Sequence, residues 1–204
     1  MSHKLKSLML LAVCTTVFSV PAGSMDQGSG QILGGSLNSP IRLEIFSDFQ
    51  CPACRDLYLG TIRQVLQEYS SKDKVCVIYH EYPLSIHAYA REAARYCEAA
   101  SRLGQEKLIP VYDSLFTDQA QWSQDGSLAA TVSKALPGDD FQKVKKIMQD
   151  SSINAAIDKE VELGMQREVK STPTMFIYYV GKQQKVVGVV TYLVLKQFID
   201  SIVK

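Results

Sequence analysis

Phe46-Ser47-Asp48-Phe49-Gln50-Cys51-Pro52-Ala53-Cys54-Arg55 is the stretch from which the rest of the chain can be read. An extended apolar run over residues 41–46 feeds into it, and a pattern of helical spacing leaves it. Cys51 therefore stands where a strand hands over to a helix, with Pro52 at the first helical position. Proline suits that position because its fixed φ is helical and its missing N–H is no loss there. A cysteine at such a junction meets unpaired backbone N–H groups and the positive end of the helix dipole, and both favour thiolate over thiol. Cys54 lies one turn on, along the same face, within reach of a disulfide with Cys51. The pair reads as a redox dithiol in which Cys51 attacks and Cys54 resolves. Two other readings compete. Half of a zinc site would need a second pair of ligands, and no further CxxC or paired histidines exist. A purely structural bridge over so short a loop would gain little loop-closure entropy.

Outward to the N-terminus, residues 1–22 have the form of an export signal: Lys4 and Lys6, an apolar run from Leu8 to Val20, then Val20-Pro21-Ala22. The run is short for a membrane span, which needs about 20 apolar residues. Cys14 sits inside it behind Val13, and is expected to leave with the signal rather than carry a lipid. Loss of residues 1–22 removes two lysines and takes the formal charge from +1 to −1. No basic field is left to attract nucleic acid or an anionic membrane. Four cysteines remain, in an exported protein where disulfides persist. The expected location is periplasmic, or otherwise extracytoplasmic.

Residues 23–40 are rich in Gly and Ser with little periodicity, and are expected to be a flexible lead-in. One domain is then expected over 41–204: a strand at 41–47, a helix over 52–69, and a β-branched strand at 74–79 buried on both faces. From about 84 to 168 the pattern is helical throughout, with helices predicted at 88–100, 107–116, 128–136, 141–148 and 153–168. Ser151 or Ser152 is expected to cap the last of these. Strands return at 174–180 and 185–190 across Gly181-Lys182-Gln183-Gln184, and a closing helix covers 193–203. The class is α/β, in the order β-α-β, helical insertion, β-β-α.

With these residues laid out, the chain resembles the DsbA-like branch of the thioredoxin superfamily, the exported thiol:disulfide oxidoreductases. The resemblance covers 41–204 and rests on the CPAC stretch, on Tyr82-Pro83-Leu84 with His87 and the alanine-rich helix that follows, and on Ser171-Thr172-Pro173-Thr174. It implies a thioredoxin fold with a helical insertion between the βαβ and ββα halves, and a cis Thr172–Pro173 peptide packed against the dithiol. Cis bonds belong almost wholly to X–Pro, so the chemistry allows it. Thr172 would then offer its backbone to a substrate peptide, with Phe49 and Gln50 as further substrate-binding positions. Glu44 resembles the acid that the family buries beneath the dithiol to move the proton of Cys54; an exposed edge glutamate is the alternative. The strongest oxidants of the family carry a histidine between the two cysteines. Ala53 stands there instead, which argues for moderate oxidising power.

Other residues carry less. Asp48 is expected to be solvated. His80 and His87 match no ligand spacing and read as hydrogen-bonded structural groups, with proton transfer near the dithiol as the alternative. Trp122 could line a peptide groove or sit in the core. Cys76 and Cys97, the only other cysteines outside the signal, are a possible structural disulfide. No metal or other cofactor is implied. Three functions stay open: net oxidase, reductase or isomerase on the same dithiol, and a peptide-binding chaperone with bystander cysteines. The partners expected are cysteine-containing exported proteins and a membrane protein that resets the dithiol. The short stretch before residue 41 leaves little room for a dimerisation module, so a monomer is expected.

Overall fold

A computed structural model describes residues 30–203. The signal expected over 1–22 and the first part of the lead-in, residues 23–29, lie outside the described residues.

The centre is a five-stranded sheet in the order β1-β3-β2-β4-β5. The strands are β1 (Gln31–Gly34), β2 (Ile41–Ser47), β3 (Val75–Glu81), β4 (Thr174–Tyr179) and β5 (Lys182–Val187). β2 and β3 run parallel, in register from Ile41 opposite Val75 to Ser47 opposite Glu81. β1, β4 and β5 pair antiparallel to their neighbours. β1 corrects the flexible lead-in. Its four residues dock along the edge of β3, with Gln31 opposite Tyr79, and Leu33 is buried in the core. A single apolar pair among glycines gave too short a period to read.

Alternation along the strands divides the side chains between two faces. Ile41, Leu43 and Ile45 of β2, with Val75, Val77 and Tyr79 of β3, enter the main core. Phe46 on the opposite face joins a smaller cluster with Val169 and Phe176. The main core also holds Tyr58, Tyr112, Phe116 and Trp122, all fully buried. At roughly 1.5–3 kcal/mol for each large apolar side chain removed from water, this face carries most of the burial.

α1 (Pro52–Leu57) and α2 (Arg63–Glu68) are separated by a π-helical turn, Tyr58–Ile62, where one continuous helix was predicted. The widened turn lets Thr61 donate a 2.7 Å hydrogen bond to the Val190 carbonyl, tying this helix to the far end of the chain. The insertion comprises α3 (Ala90–Ser101), α4 (Gln105–Thr117), α5 (Gln119–Asp125), α6 (Leu128–Ala135), α7 (Gly138–Ile147) and α8 (Ser151–Gln166); α9 (Tyr192–Ile202) closes the chain. α5 was not predicted. The cap of α8 is Asp150, whose carboxylate accepts from the Ser152 N–H, rather than either serine. α8 crosses the second face of the sheet at Gly164, where an added Cβ would meet the Tyr82 ring at 2.3 Å. Only glycine allows that approach. None of the helices among the described residues is long and apolar enough to cross a membrane.

Candidate active site

β2 delivers Cys51 to the N-cap of α1, in extended backbone at φ −76° and ψ 121°, with Pro52 following. The Cys51 carbonyl accepts from the N–H groups of Cys54 and Arg55 at 3.1 and 3.2 Å. Cys51 keeps 8% of its surface exposed and Cys54 none; both are thiols. The Cys51 thiol is pulled down to about 5, first by a hydrogen bond from the Cys54 thiol, then by the Thr172 hydroxyl and the amides of Cys54 and Ala53, against the opposing effect of burial. Cys54 is pushed far up, first by burial and then by the neighbouring Cys51. One sulfur is therefore an open thiolate near neutrality and the other a sheltered thiol.

Facing them is the loop before β4. The Thr172–Pro173 peptide is cis, and the Thr172 carbonyl lies 3.4 Å from Cys51 Sγ, within reach of its S–H. The loop is pinned from behind by the Gly188 N–H, which donates to the Pro173 carbonyl at 2.8 Å.

The stretch before Cys51 differs from its sequence reading. Asp48 is buried at 2% exposure, not solvated. Its carboxylate accepts from the N–H groups of Gln50 and Leu84, both at 2.7 Å, and pairs with His87 Nδ1 at 2.8 Å. Its own N–H donates to Cys54 Sγ at 3.4 Å. Phe49 is not a substrate-binding side chain: its ring is buried against Tyr112 and Phe116, with centroids 4.9 Å away in each case. Gln50 is occupied too, accepting from the Tyr89 N–H and donating to the Ser123 carbonyl. Gln119, on the unpredicted α5, donates from one amide to the carbonyls of Phe49 at 2.6 Å and Cys51 at 3.0 Å. An isolated glutamine in a helical tract gives no sequence signal of such a role.

Glu44 does not lie beneath the dithiol. Ile45 takes the core-facing place, and Glu44 points to the second face, paired with Arg42 at 2.9 Å and with Arg167. His80 stacks on Phe46 there and is bonded to Glu160, so both histidines are held by carboxylates. The parity of Ile41, Leu43 and Ile45 already carried this signal, because a seven-residue spacing from Cys51 leaves Glu44 on the wrong side. The Cys76–Cys97 bridge is not formed. Cys76 alternates with Val75 and Val77 and faces the Glu44 side, whereas Cys97 on α3 lies in the main core. No backbone-preserving rotation joins thiols across a sheet. Trp122 is a core residue, its indole N–H donating to the Leu115 carbonyl at 2.7 Å.

An activated sulfur at the surface, a shielded one a turn below and a backbone edge beside them form a device for handing a disulfide from one molecule to another. The chain is a thiol:disulfide oxidoreductase built on a thioredoxin-like fold. The family model described as Thioredoxin matches residues 27–201, and the chain belongs to that family. It is 25% identical to a probable disulfide bond formation protein D of Bacillus anthracis, over 83% of this chain and 82% of that one. The thiol-disulfide exchange protein alpha-DsbA2 of Wolbachia pipientis superposes with a TM-score of 0.67 at 23% identity, covering 82% and 84% of the two chains. Oxidised BdbD of Bacillus subtilis gives 0.69 at 16% identity, covering 86% of this chain and 93% of that one.

Proposed function

We propose that the chain is an exported enzyme that acts as a net oxidase, introducing disulfides into cysteine-containing exported proteins. The observation that carries the direction is the Cys51 thiol at about 5. Whatever stabilises that thiolate stabilises the reduced enzyme, and an enzyme whose reduced form is favoured gives its disulfide away. A substrate thiolate attacks Cys51 Sγ, the Cys51–Cys54 bond breaks, and Cys54 leaves. A second substrate thiolate then displaces Cys51, leaving the substrate oxidised and the enzyme a dithiol. The Thr172 carbonyl beside Cys51 offers an incoming peptide an edge to pair with. The electrons pass to a membrane partner that restores the disulfide. Export is supported by the basic and apolar run over 1–22.

The test is the oxidation of a reduced, unfolded protein by the stoichiometric disulfide form, together with the reduction potential of the pair against glutathione. The expected potential lies between about −120 mV, that of the strongest oxidant of this type, and about −270 mV, that of thioredoxin. A potential at or below the thioredoxin value, with scrambled substrates repaired faster than reduced ones are oxidised, would move the assignment to a reductase or isomerase.

A further inference from the structure

Two turns at the end of the sheet away from the dithiol hold apolar side chains out in water. β4 and β5 are joined by Val180–Gly181 between the paired residues Tyr179 and Lys182, and both turn residues have positive φ, 44° and 70°. A two-residue turn of that geometry favours Asn-Gly, because a β-branched side chain resists positive φ. Val180 takes the strain and gains no burial for it, since 79% of its surface is exposed. The turn between β1 and β2 is closed by its own serines. The Ser39 N–H donates to the Ser36 carbonyl at 2.8 Å, and the Ser36 N–H to Ser39 Oγ at 3.1 Å. It holds Leu37 outward, 46% exposed. Backbone strain with no gain in packing points to a use outside the fold.

The two turns are the rims of one cleft. Its volume of about 370 Å³ falls within the range of small-molecule sites. Its walls include Leu37, Pro40, Tyr178, Val180, Arg42 and Lys182. Arg42 is the register partner of Tyr178 across β2 and β4, and its guanidinium lies over the Tyr178 ring, 4.5 Å from the centroid. Glu44 pairs with Arg42 and also with Arg167, so among these three groups one positive charge is left over. Lys182 adds another at the exposed rim. Among the described residues that line the cleft, none is acidic.

Apolar walls with a surplus of positive charge suit a ligand that has an apolar body and an acidic head. A second copy docked through the same patch would set these cations against themselves. A bilayer would meet two protruding side chains and leave the hollow unfilled. We propose that the cleft binds a single-chain fatty carboxylate, with the chain between Leu37 and Val180 and the carboxylate at Lys182 and Arg42. Lys182 supplies charge-assisted donors to the head, and Arg42 a positive field beside it. The methylenes of the tail leave water against Pro40 and the Tyr178 ring. The cleft lies at the start of β2 and the dithiol beyond its end, so occupancy leaves Cys51 open to substrate.

The test is a calorimetric titration of the folded protein with dodecanoate below its micelle concentration. Dodecanoate should bind and raise the thermal midpoint, as any ligand of the native state does. Octanoate should bind at least about tenfold more weakly, since each methylene taken from water strengthens binding by up to about fourfold. Dodecyltrimethylammonium, with the same chain and the opposite charge, should not bind. Lys182→Glu should weaken dodecanoate about tenfold, through loss of an attraction and gain of a repulsion. Val180→Asn installs the residue that the turn favours, so the unliganded protein should melt no lower. It should nevertheless bind dodecanoate at least about fivefold more weakly, having lost an apolar wall. Equal binding of the two opposite charges overturns the proposal, as does dodecanoate binding unchanged in both variants. So does capture by vesicles of anionic phospholipid when dodecanoate itself does not bind, which would make the face a membrane contact. A dimer that Val180→Asn dissociates overturns it too.

Discussion

Cys51 and Cys54 differ from Cys76 and Cys97 less in burial than in company. All four are buried, and Cys54 is as sealed from solvent as Cys97. Cys51 has amide and hydroxyl donors and a second sulfur around it, and its thiol falls to about 5. Cys97 sits on the small-residue face of α3, where burial pushes its thiol well up. Burial likewise raises Cys76 to about 11. Reactivity is thus a property of the helix N-terminus and not of the thiol. The two inert cysteines lie on opposite faces of one sheet, so even an oxidising compartment does not pair them with each other.

The largest effect should come from exchanging the roles of the pairs. Cys51→Ser is expected to bring oxidation of a reduced protein substrate to the assay background, and Cys76→Ala with Cys97→Ala to leave it within about twofold, at a cost of about 1 kcal/mol of stability per site. Loss of activity in the double variant with the fold intact would break the contrast. Next comes the second face. Glu44→Ala leaves Arg42 and Arg167 facing each other without their buried carboxylate, and should cost about 3 kcal/mol in chemical denaturation. Because Glu44 lies across the sheet from the dithiol, the pH profile of Cys51 alkylation should not move.

The smallest effect is one of pH. The folded pKa of Cys51 is depressed from the ordinary thiol value of 9.0 to about 5, so the unfolded chain binds more protons between those limits. The stability of the reduced protein should therefore rise with pH from about 5 toward about 9, and fade as pH drops through 5. The disulfide form has no proton to lose there and should lack the trend. Parallel denaturation curves of the two forms check it. Parallel pH dependences would mean that Cys51 holds no special thiolate.

What could be read ahead of the structure was whatever depended on local pattern. The strand–Cys–Pro junction and the order of most elements follow from periodicity and from proline chemistry within a few residues, whereas the cis loop at Ser171–Thr174 was legible only through the family resemblance. What could not be read depended on which neighbour a side chain finds. Asp48 is a polar residue whose burial is satisfied by Leu84 and His87, more than thirty residues on. Phe49 and Gln50 flank the reactive sulfur in sequence, yet one serves the core and the other the insertion. β1 is a strand because β3 offers an edge, not because Gln31–Gly34 insists on one.

The Gln119 side chain has a practical consequence. Its amide holds the carbonyls of Phe49 and Cys51 together, and Gln50 is gripped from Tyr89 and Ser123. The helices between the two halves of the fold are therefore part of the scaffolding of the reactive turn, not an appendage to it. An engineer who trimmed residues 84–168 to obtain a minimal redox module would keep every atom of the CPAC motif and lose the shape that makes it useful. Transplanting the motif to another host would need a substitute for Gln119 before it needed a better dipeptide.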